Sequence, residues 1–502
     1  MKLLASMALM AMAVAAAHGQ EATDAKRIAR VERGLLPPYV TERTKPMLLS
    51  DRLRHYKVPA VSVAVVDNGK LVWAKAWGQA QVGQGQPVTT KTLFQAASIS
   101  KPVTALGAFR LIDAGKLTLD GDVNAVLRSW QVPAGAQTAD KPVTLRGLLS
   151  HTAGLTVSGF AGYKSGTSVP TLVQILDGVP PANSPPVRVA KQPGGEFSYS
   201  GGGYVLLQRL MEDVTGQPFA EWMQHEVLSP AGMGDSLFGA LPDAPLSRAA
   251  AGHQEGKATP GLRATHPELA AAGLWTTPTD LAKLSMALQR TLAGEAGGLV
   301  PPALFKQAVT AAPGAMGLGF VVEGTLKDPL YGHDGSNAGF ESRWRFDRQR
   351  AVIVMANANG ARPLMEEIIR AVAAAHGWAD LLARPVPLQQ LREAFAAAPI
   401  YLRGSLNEWG LTLPMRRAAA GRRVAEVDLP MGTISFKFGS EDWRAVDLGS
   451  GTTGGGSLGT AGPNLSFDAE KAGRYRIELD VRDAAAPRYS VRLLKVAARG
   501  RG

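Results

Sequence analysis

The sequence contains no cysteine. That rules out disulfides, thiolate metal sites and a cysteine nucleophile. Histidine is scarce as well: the 8 residues are scattered, with neither H-E-x-x-H nor any paired spacing suited to zinc. No metal and no cofactor are therefore expected. Basic runs with interleaved aromatics are missing, so the net charge of +12 does not read as a nucleic-acid footprint. It suits a protein working near anionic surfaces such as an envelope. Past the N-terminus no apolar run reaches membrane-spanning length. The N-terminal run in "MKLLASMALMAMAVAAAHGQE" is short, follows one lysine and ends in small residues. It reads as a signal peptide over 1–19, cleaved near Ala17 or Gly19. The mature chain, at 12 − 1 = +11, is expected to be secreted or periplasmic, with no transmembrane segment.

What remains has a normal globular balance, 45% hydrophobic and 19% charged, in 502 residues, enough for two or three domains. Val58–Gly78 predicts a hairpin turning at Asn68-Gly69. A long helix follows Ser98, with Val103, Leu106, Phe109 and Ile112 at helical spacing and Gly115 as its stop. Gly and Pro crowd 154–203. Further helices are predicted over Tyr204–Gly216, Thr277–Leu292 and Leu364–Gly377, after the strands "SRWRFD" and "AVIVMAN". Strands at both ends with helices between them imply one sheet assembled from distant parts of the chain. Residues 20–382 form this domain. Residues 383–399 read as a Pro-flanked helical linker. Over 400–502 short alternating strands, such as Tyr475, Ile477, Leu479 and Val481 against Arg474, Arg476, Glu478 and Asp480, predict a β-sandwich.

Ser98 stands three residues before Lys101. On a helix such positions share a face, so a lysine amine can sit beside a serine hydroxyl where unpaired amides supply positive potential. Serine needs a neighbour to take its proton before it can attack a carbonyl. The plain alternative is an N-cap serine followed by a solvated lysine.

The flanks carry more. "LFQAASISKPVTALGAFRLIDAGKLTLDGDV" (93–123), "VTLRGLLSHTAGL" (143–155), "PGGEFSYSGGGYVLLQRLMEDVTG" (193–216), "AAAGLWTTPTDLAKL" (270–284) and "YGHDGSNAGFESRWRFD" (331–347) occur in that order. Together they resemble the serine β-lactamase and penicillin-binding superfamily, over about Met47 to Ala375. The nearest branch holds class C β-lactamases, DD-peptidases, D-aminopeptidases and family VIII carboxylesterases. The resemblance implies an α/β (α+β) β-lactamase/transpeptidase-like fold: an antiparallel sheet flanked by helices, with a helical lobe. It implies that Ser98 is the acylated nucleophile, that Lys101 helps deprotonate it, and that Tyr199 is a second general base. It places His333-Asp334-Gly335 on an edge strand facing the nucleophile. His333, Gly335 and Ser336 would bind substrate, and the amides of Ser98 and Ser336 would form an oxyanion hole.

Two departures stand out. Where class C enzymes read Tyr-x-Asn this chain has Tyr199-Ser200-Gly201, and Lys-Thr-Gly is replaced by His333-Asp334-Gly335. A substrate carboxylate thus loses a permanent cation, although Asp334 could raise the pKa of His333. The expected substrates are esters or amides, including D-amino-acid peptides and β-lactam-like compounds, with an esterase or peptidase ahead of a β-lactamase. A non-catalytic penicillin-binding sensor is the alternative from another class.

Rival residues have plainer readings. Ser236 lies in Gly234-Asp235-Ser236-Leu237, a GDSL string in the wrong place for that esterase family. His151 reads as a structural helix end, since adjacent Ser150 cannot easily bond to it. His266 could line the site or serve structure. Trp275 could wall the pocket or fill the core, and Phe340 and Glu341 read as structural. The final hundred residues resemble starch-binding-like sandwich modules of immunoglobulin-like form, with Trp409 and Trp443 as candidate sugar platforms or as plugs of the sandwich. A polysaccharide partner would follow from the first reading.

Overall fold

The computed structural model describes residues 22–295, 297–311, 315–378, 386–443, 445–450, 456, 458–460, 464–484 and 486–496. The expected signal peptide, 1–19, and most of the glycine-rich loop at 449–463 lie outside them. The described chain forms two compact units, 22–33 with 48–378 and 34–47 with 386–496.

The first unit is built on a sheet of seven antiparallel strands. These are β1 (Ala60–Asp67), β2 (Lys70–Gly78), β3 (Ala315–Met316), β4 (Val321–Gly324), β5 (Pro329–Asn337), β6 (Phe340–Phe346) and β7 (Ala351–Ala356). Their order is β2-β1-β7-β6-β5-β4-β3. The β1–β2 turn is at Asn68-Gly69, both at positive φ, as the dipeptide requires. β7 is apolar throughout and β1 nearly so, with Ser62 and Asp67 its polar residues; the two pair inside the sheet, Val63 opposite Val354. The sheet thus joins the two ends of the domain.

Helices in this unit are α1 (Ser100–Asp113), α2 (Leu145–Ser150), α3 (Gly201–Thr215), α4 (Leu269–Ala272), α5 (Pro278–Ala293) and α6 (Arg362–His376). Strand alternation shows that α5 and α6 cover opposite faces. The Trp344 indole donates to Ser285 of α5 at 2.8 Å, while its neighbour Arg343 pairs with Glu366 of α6 at 2.8 Å. α1 is buried on nearly every side, which places it at the centre of the helical lobe. At Gly107 a Cβ would lie 2.6 Å from the Met223 sulfur, so a larger residue there would force the Met223 side chain to move.

β5 is not an edge strand, contrary to the sequence expectation. β4 pairs with its first half, as far as Gly332, and 333–337 run past the end of β4. The segment that faces the nucleophile is therefore locally unpaired on one side while held by β6 on the other.

The second unit has helix α7 (Leu388–Ala397) and strands β8 (Tyr401–Gly404), β9 (Arg416–Ala419), β10 (Arg422–Leu429), β11 (Gly432–Gly439), β12 (Asp447–Ser450), β13 (Leu458–Thr460), β14 (Leu465–Ala469), β15 (Gly473–Asp480) and β16 (Arg488–Val496). They make two antiparallel sheets, β8-β11-β12-β13 with β14 beside β11, and β9-β10-β15-β16. Phe436 and Phe438 from one sheet meet Tyr489 from the other at ring separations of 5.7 and 6.0 Å. Leu391 and Phe395 of α7 are buried in this same core. The segment read as a linker therefore contributes to the sandwich, because its helix has an apolar stripe to bury.

Candidate active site

The chain enters the site through a sharp corner. Phe94–Gln95 pairs with Leu274–Thr276, then the backbone turns at Ala97 (φ +49°) into a 3-10 turn, Ala97–Ile99, that leads directly into α1. A left-handed alanine costs about 1–2 kcal/mol. The corner is held by neighbours: the Ala96 amide donates to Leu274 O at 2.9 Å, and Ser342 Oγ donates to Ala96 O at 2.9 Å. Ser98 sits at this mouth, half-buried. Lys101, one turn on and buried, donates to Ser98 Oγ at 3.0 Å and to Ala271 O of α4 at 2.9 Å. The solvated-lysine alternative is thereby excluded. α4 is held in turn by Thr104 Oγ1, which donates to Ala270 O at 3.2 Å.

Tyr199 reaches the same amine from a distant loop. Its ring centroid is 5.0 Å from Lys101 Nζ, and that of Tyr204 is 5.7 Å away. Ser200 sets the loop: its Oγ accepts from Gly203 N at 2.9 Å, capping α3, and donates to Thr156 O at 2.7 Å. His151 sets the phenol. It ends α2 in the left-handed conformation (φ +58°) and its ring lies 4.2 Å from that of Tyr199. Its Nδ1 accepts from Ser200 N at 3.0 Å, so the proton resides on Nε2. Burial, then the nearby Lys101, pushes His151 well below the ordinary histidine value, so it is neutral. Sequence reading marked His151 as structural but gave no sign that it packs on Tyr199. Gly201 stands where class C enzymes carry asparagine, and a Cβ there would lie 3.0 Å from the Phe160 ring. Phe160 thus occupies space that a longer side chain would need.

The third motif closes the cleft. A Cβ on Gly335 would come within 2.1 Å of Ala96 O, so β5 lies directly against the nucleophile turn. In the β5–β6 hairpin Asn337 and Phe340 close the turn, which makes Ser336–Glu341 the non-bonded pair. The Ser336 N–H therefore points away from β6, on the side that β4 leaves vacant. Asn337 Nδ2 donates to Gln95 Oε1 at 2.8 Å and ties β5 to the strand before Ser98.

His333 is buried, 6.2 Å ring to ring from Tyr199. Its Nδ1–H donates to Asp334 O at 2.5 Å, which leaves the buried Nε2 as an unpartnered acceptor. Burial, then Lys101, pushes His333 down to about 4. Asp334 does act upward, through its carbonyl and its charge, but burial and Lys101 outweigh it. Asp334 points to the other face of β5, where Arg343, Arg345 and Arg362 lie 3.3, 2.8 and 2.7 Å from it. Those arginines hold its carboxyl far below the ordinary range despite its burial. Its charge is engaged there, so at the imidazole it offsets only part of the effect of burial.

The rivals are accounted for by structure. Ser236 Oγ bonds Thr276 Oγ1 at 2.7 Å and Asp280 Oδ2 at 2.8 Å, fully buried away from the cleft residues. Trp275 packs edge-on to Phe340 at 5.7 Å in the core. Glu341 Oε1 accepts from Gly360 N at 3.1 Å. His266 is buried 3.9 Å from Glu268, which immediately precedes α4. Burial pushes His266 down to about 4 and Glu268 up to about 7, so near neutrality the imidazole is neutral and the carboxyl is partly protonated. In the second unit, the Arg403 guanidinium lies 4.0 Å over the Trp443 ring and Gly439 gives that ring its seat. Trp409 is half-buried at φ +63°. Among the described residues no group of three or more His, Asp or Glu could hold a metal, and no helix is long and apolar enough to cross a membrane.

Comparison with known proteins follows the same residues. The family model described as Beta-lactamase matches 46–377. Penicillin-binding protein 4 of Amycolatopsis lactamdurans is 34% identical over 190 residues, 37% of this chain and 47% of that protein. Esterase EstB of Burkholderia gladioli is 30% identical over 197 residues, 37% and 48% of the two chains. The chain thus spans about half the length of these two relatives. A D-aminopeptidase of Brucella canis is 28% identical over 385 residues, 74% of this chain and 68% of that one. Among solved structures, an octameric penicillin-binding protein homologue from Pyrococcus abyssi superposes with a TM-score of 0.56 at 19% identity, covering 88% of this chain and 98% of that one. D-amino acid amidase from Ochrobactrum anthropi SV3 gives 0.52 at 22% identity over 65% and 99%. At such identities these two establish the fold.

Proposed function

The chain belongs to the Beta-lactamase family, and from that premise we propose that it is a serine hydrolase that turns over esters or amides through an acyl-enzyme on Ser98. The observation that carries this is the 3.0 Å hydrogen bond from buried Lys101 to Ser98 Oγ beneath the Tyr199 ring. As Ser98 Oγ bonds to the substrate carbonyl carbon, its proton passes to the Lys101–Tyr199 pair. The oxyanion is met by the amides of Ser98 and Ser336. Collapse breaks the bond to the alcohol or amine, which leaves with that proton. Water then attacks the acyl carbonyl, the acid departs, and Ser98 regains its hydrogen.

Two features favour an ester or a D-amino-acid amide over a β-lactam. The amide of the Tyr-x-Asn asparagine is absent, with Phe160 beside Gly201. His333 is neutral and offers an acceptor, which suits an ammonium or N–H group of the substrate and not a carboxylate. Export to the periplasm or medium is proposed on the N-terminal sequence. A polysaccharide contact in the second unit is proposed through Trp409, since Arg403 already stacks on Trp443.

Turnover of a chromogenic ester, compared with Ser98→Ala, tests the assignment. Hydrolysis by the native chain that disappears in the variant is expected. Intact mass after exposure to a fluorescent penicillin and to short-chain esters reads the acyl group directly. An adduct that forms and never turns over would make the protein a penicillin-binding sensor, and no adduct together with no turnover would refute both. Cell fractionation tests export, and a starch pull-down with Trp409→Ala tests the sugar contact.

A further inference from the structure

Away from the hydrolase cleft, the second unit contains a cavity of about 270 Å³ whose charged lining is entirely cationic. Arg392 comes from α7, Arg417 from β9, and Arg422 and Arg423 from β10; the remaining lining residues are apolar or glycine. Arg423 is buried, and only its Nη2 is engaged, donating to Phe395 O at 2.6 Å and Ala398 O at 2.9 Å. The Arg417 Nη2 donates to Ala396 O. Arg422 approaches Glu478 and Asp480 only at 3.5 Å, and its Nε is buried without a hydrogen-bond partner. Asp480 is itself engaged by Arg482 at 2.6 Å. Among the described residues, Arg392, Arg417 and Arg423 have no carboxylate within ion-pair distance.

The carbonyls that two of these arginines meet are the C-terminus of α7, equivalent to about half a negative charge. With Arg422 facing Glu478 and Asp480, the three guanidiniums of Arg392, Arg417 and Arg423 set against that half charge leave a positive surplus in a partly desolvated space. Each fork has five N–H donors, and most of them stay unused by the protein. Burial, and then the Arg417 charge, push Arg423 below the ordinary arginine value.

We propose that this cavity binds a tetrahedral phosphate oxyanion, free or carried on a lipid headgroup. Guanidiniums converging from three chain segments match the several acceptor oxygens of a phosphate better than the two of a carboxylate. Since a water occupies about 30 Å³, the volume holds such an anion with a few waters. This site is independent of the chemistry at Ser98.

The test uses the intact chain. Inorganic phosphate is titrated by calorimetry at constant ionic strength, with sodium chloride as the balancing salt. Saturable one-site binding is expected, with affinity reduced at least about tenfold in Arg392→Gln/Arg417→Gln. Both side chains are exposed, and circular dichroism confirms that the double variant is folded. Absence of saturable binding in the native chain, or equal affinity in the double variant, overturns the proposal. Vesicles of phosphatidylglycerol or phosphatidylcholine separate the two sources. Capture by the anionic vesicles that the variant loses and phosphate competes away assigns the headgroup. Where phosphate binds and such capture is missing or insensitive to the variant, the ligand is free phosphate.

Discussion

Gly335→Ala tests the contact between β5 and the nucleophile turn. The added methyl carbon would sit 2.1 Å from Ala96 O and 2.4 Å from Ser342 Oγ. Such contacts are not found under about 3.0 Å, so the Ala96 carbonyl must retreat by at least about 0.9 Å. Ser342 can rotate away, but Ala96 is backbone, and its shift moves Ser98 two residues later. A displacement near 1 Å in a reacting group costs about 100-fold in rate. Overpacking of this kind destabilises by about 1–3 kcal/mol. The expectation is a kcat/KM for ester hydrolysis down by about two orders of magnitude, with a folded protein by circular dichroism. Ser342→Ala is the companion: it removes the 2.9 Å tether to Ala96 O without adding bulk, and should cost about 1 kcal/mol with only a several-fold loss of rate. If Gly335→Ala kept kcat/KM within about threefold of the native value and melted normally, β5 would not be pressed against the turn, and an oxyanion hole between Ser98 and Ser336 would be refuted.

Lys101→Met should lower ester turnover by about 10²–10⁴-fold, measured as kcat on a chromogenic ester, since it removes the group that relays the Ser98 proton. Because His333 titrates near 4, kcat/KM should show no inflection around pH 6.5; an inflection there that disappears in His333→Gln would contradict the neutral-imidazole reading. Its folded value lies below the ordinary 6.5, so the unfolded chain takes up the proton first and stability falls as pH drops from about 6.5 towards 4, which urea melts would follow. Glu268 works in the opposite sense: raised to about 7 by burial, its contribution is complete below about 4.5 and is lost as pH rises through 7. Glu268→Met should therefore gain on the native protein by up to about 3 kcal/mol between pH 5 and pH 8, and a difference independent of pH would refute the buried-carboxyl account.

Local signals served sequence reading well. The Asn68-Gly69 hairpin, the helix after Ser98 and the i, i+3 pairing of Ser98 with Lys101 depend on neighbours a few residues away, and the structure contains all three. The meeting of Tyr199 with Lys101 was reached only through family motifs, because no periodicity links positions about a hundred residues apart. Long-range packing was beyond both. Nothing in "LLSHTAGL" announces that His151 packs on Tyr199 while accepting from Ser200, or that Lys101 bonds the Ala271 carbonyl. Asp334 was read by adjacency, as a partner for His333. Strand alternation sends it to the opposite face, where three arginines from β6 and α6 converge. The α7 segment looked like a spacer because its prolines were visible and its burial against Phe436 and Ile477 was not.

The pairing of Val63 with Val354 has a consequence for how the molecule comes into being. Closing a loop of 354 − 63 = 291 residues costs about 5 kcal/mol of chain entropy before any contact repays it. A ribosome that has released the first hairpin must still synthesise most of the domain before the neighbouring strand exists. Through that interval β1 has an exposed hydrogen-bonding edge, the kind of surface that invites aggregation. A nascent chain stalled or clipped before residue 351 should yield insoluble material and no partly active fragment, and holdase chaperones should bind it until β7 emerges.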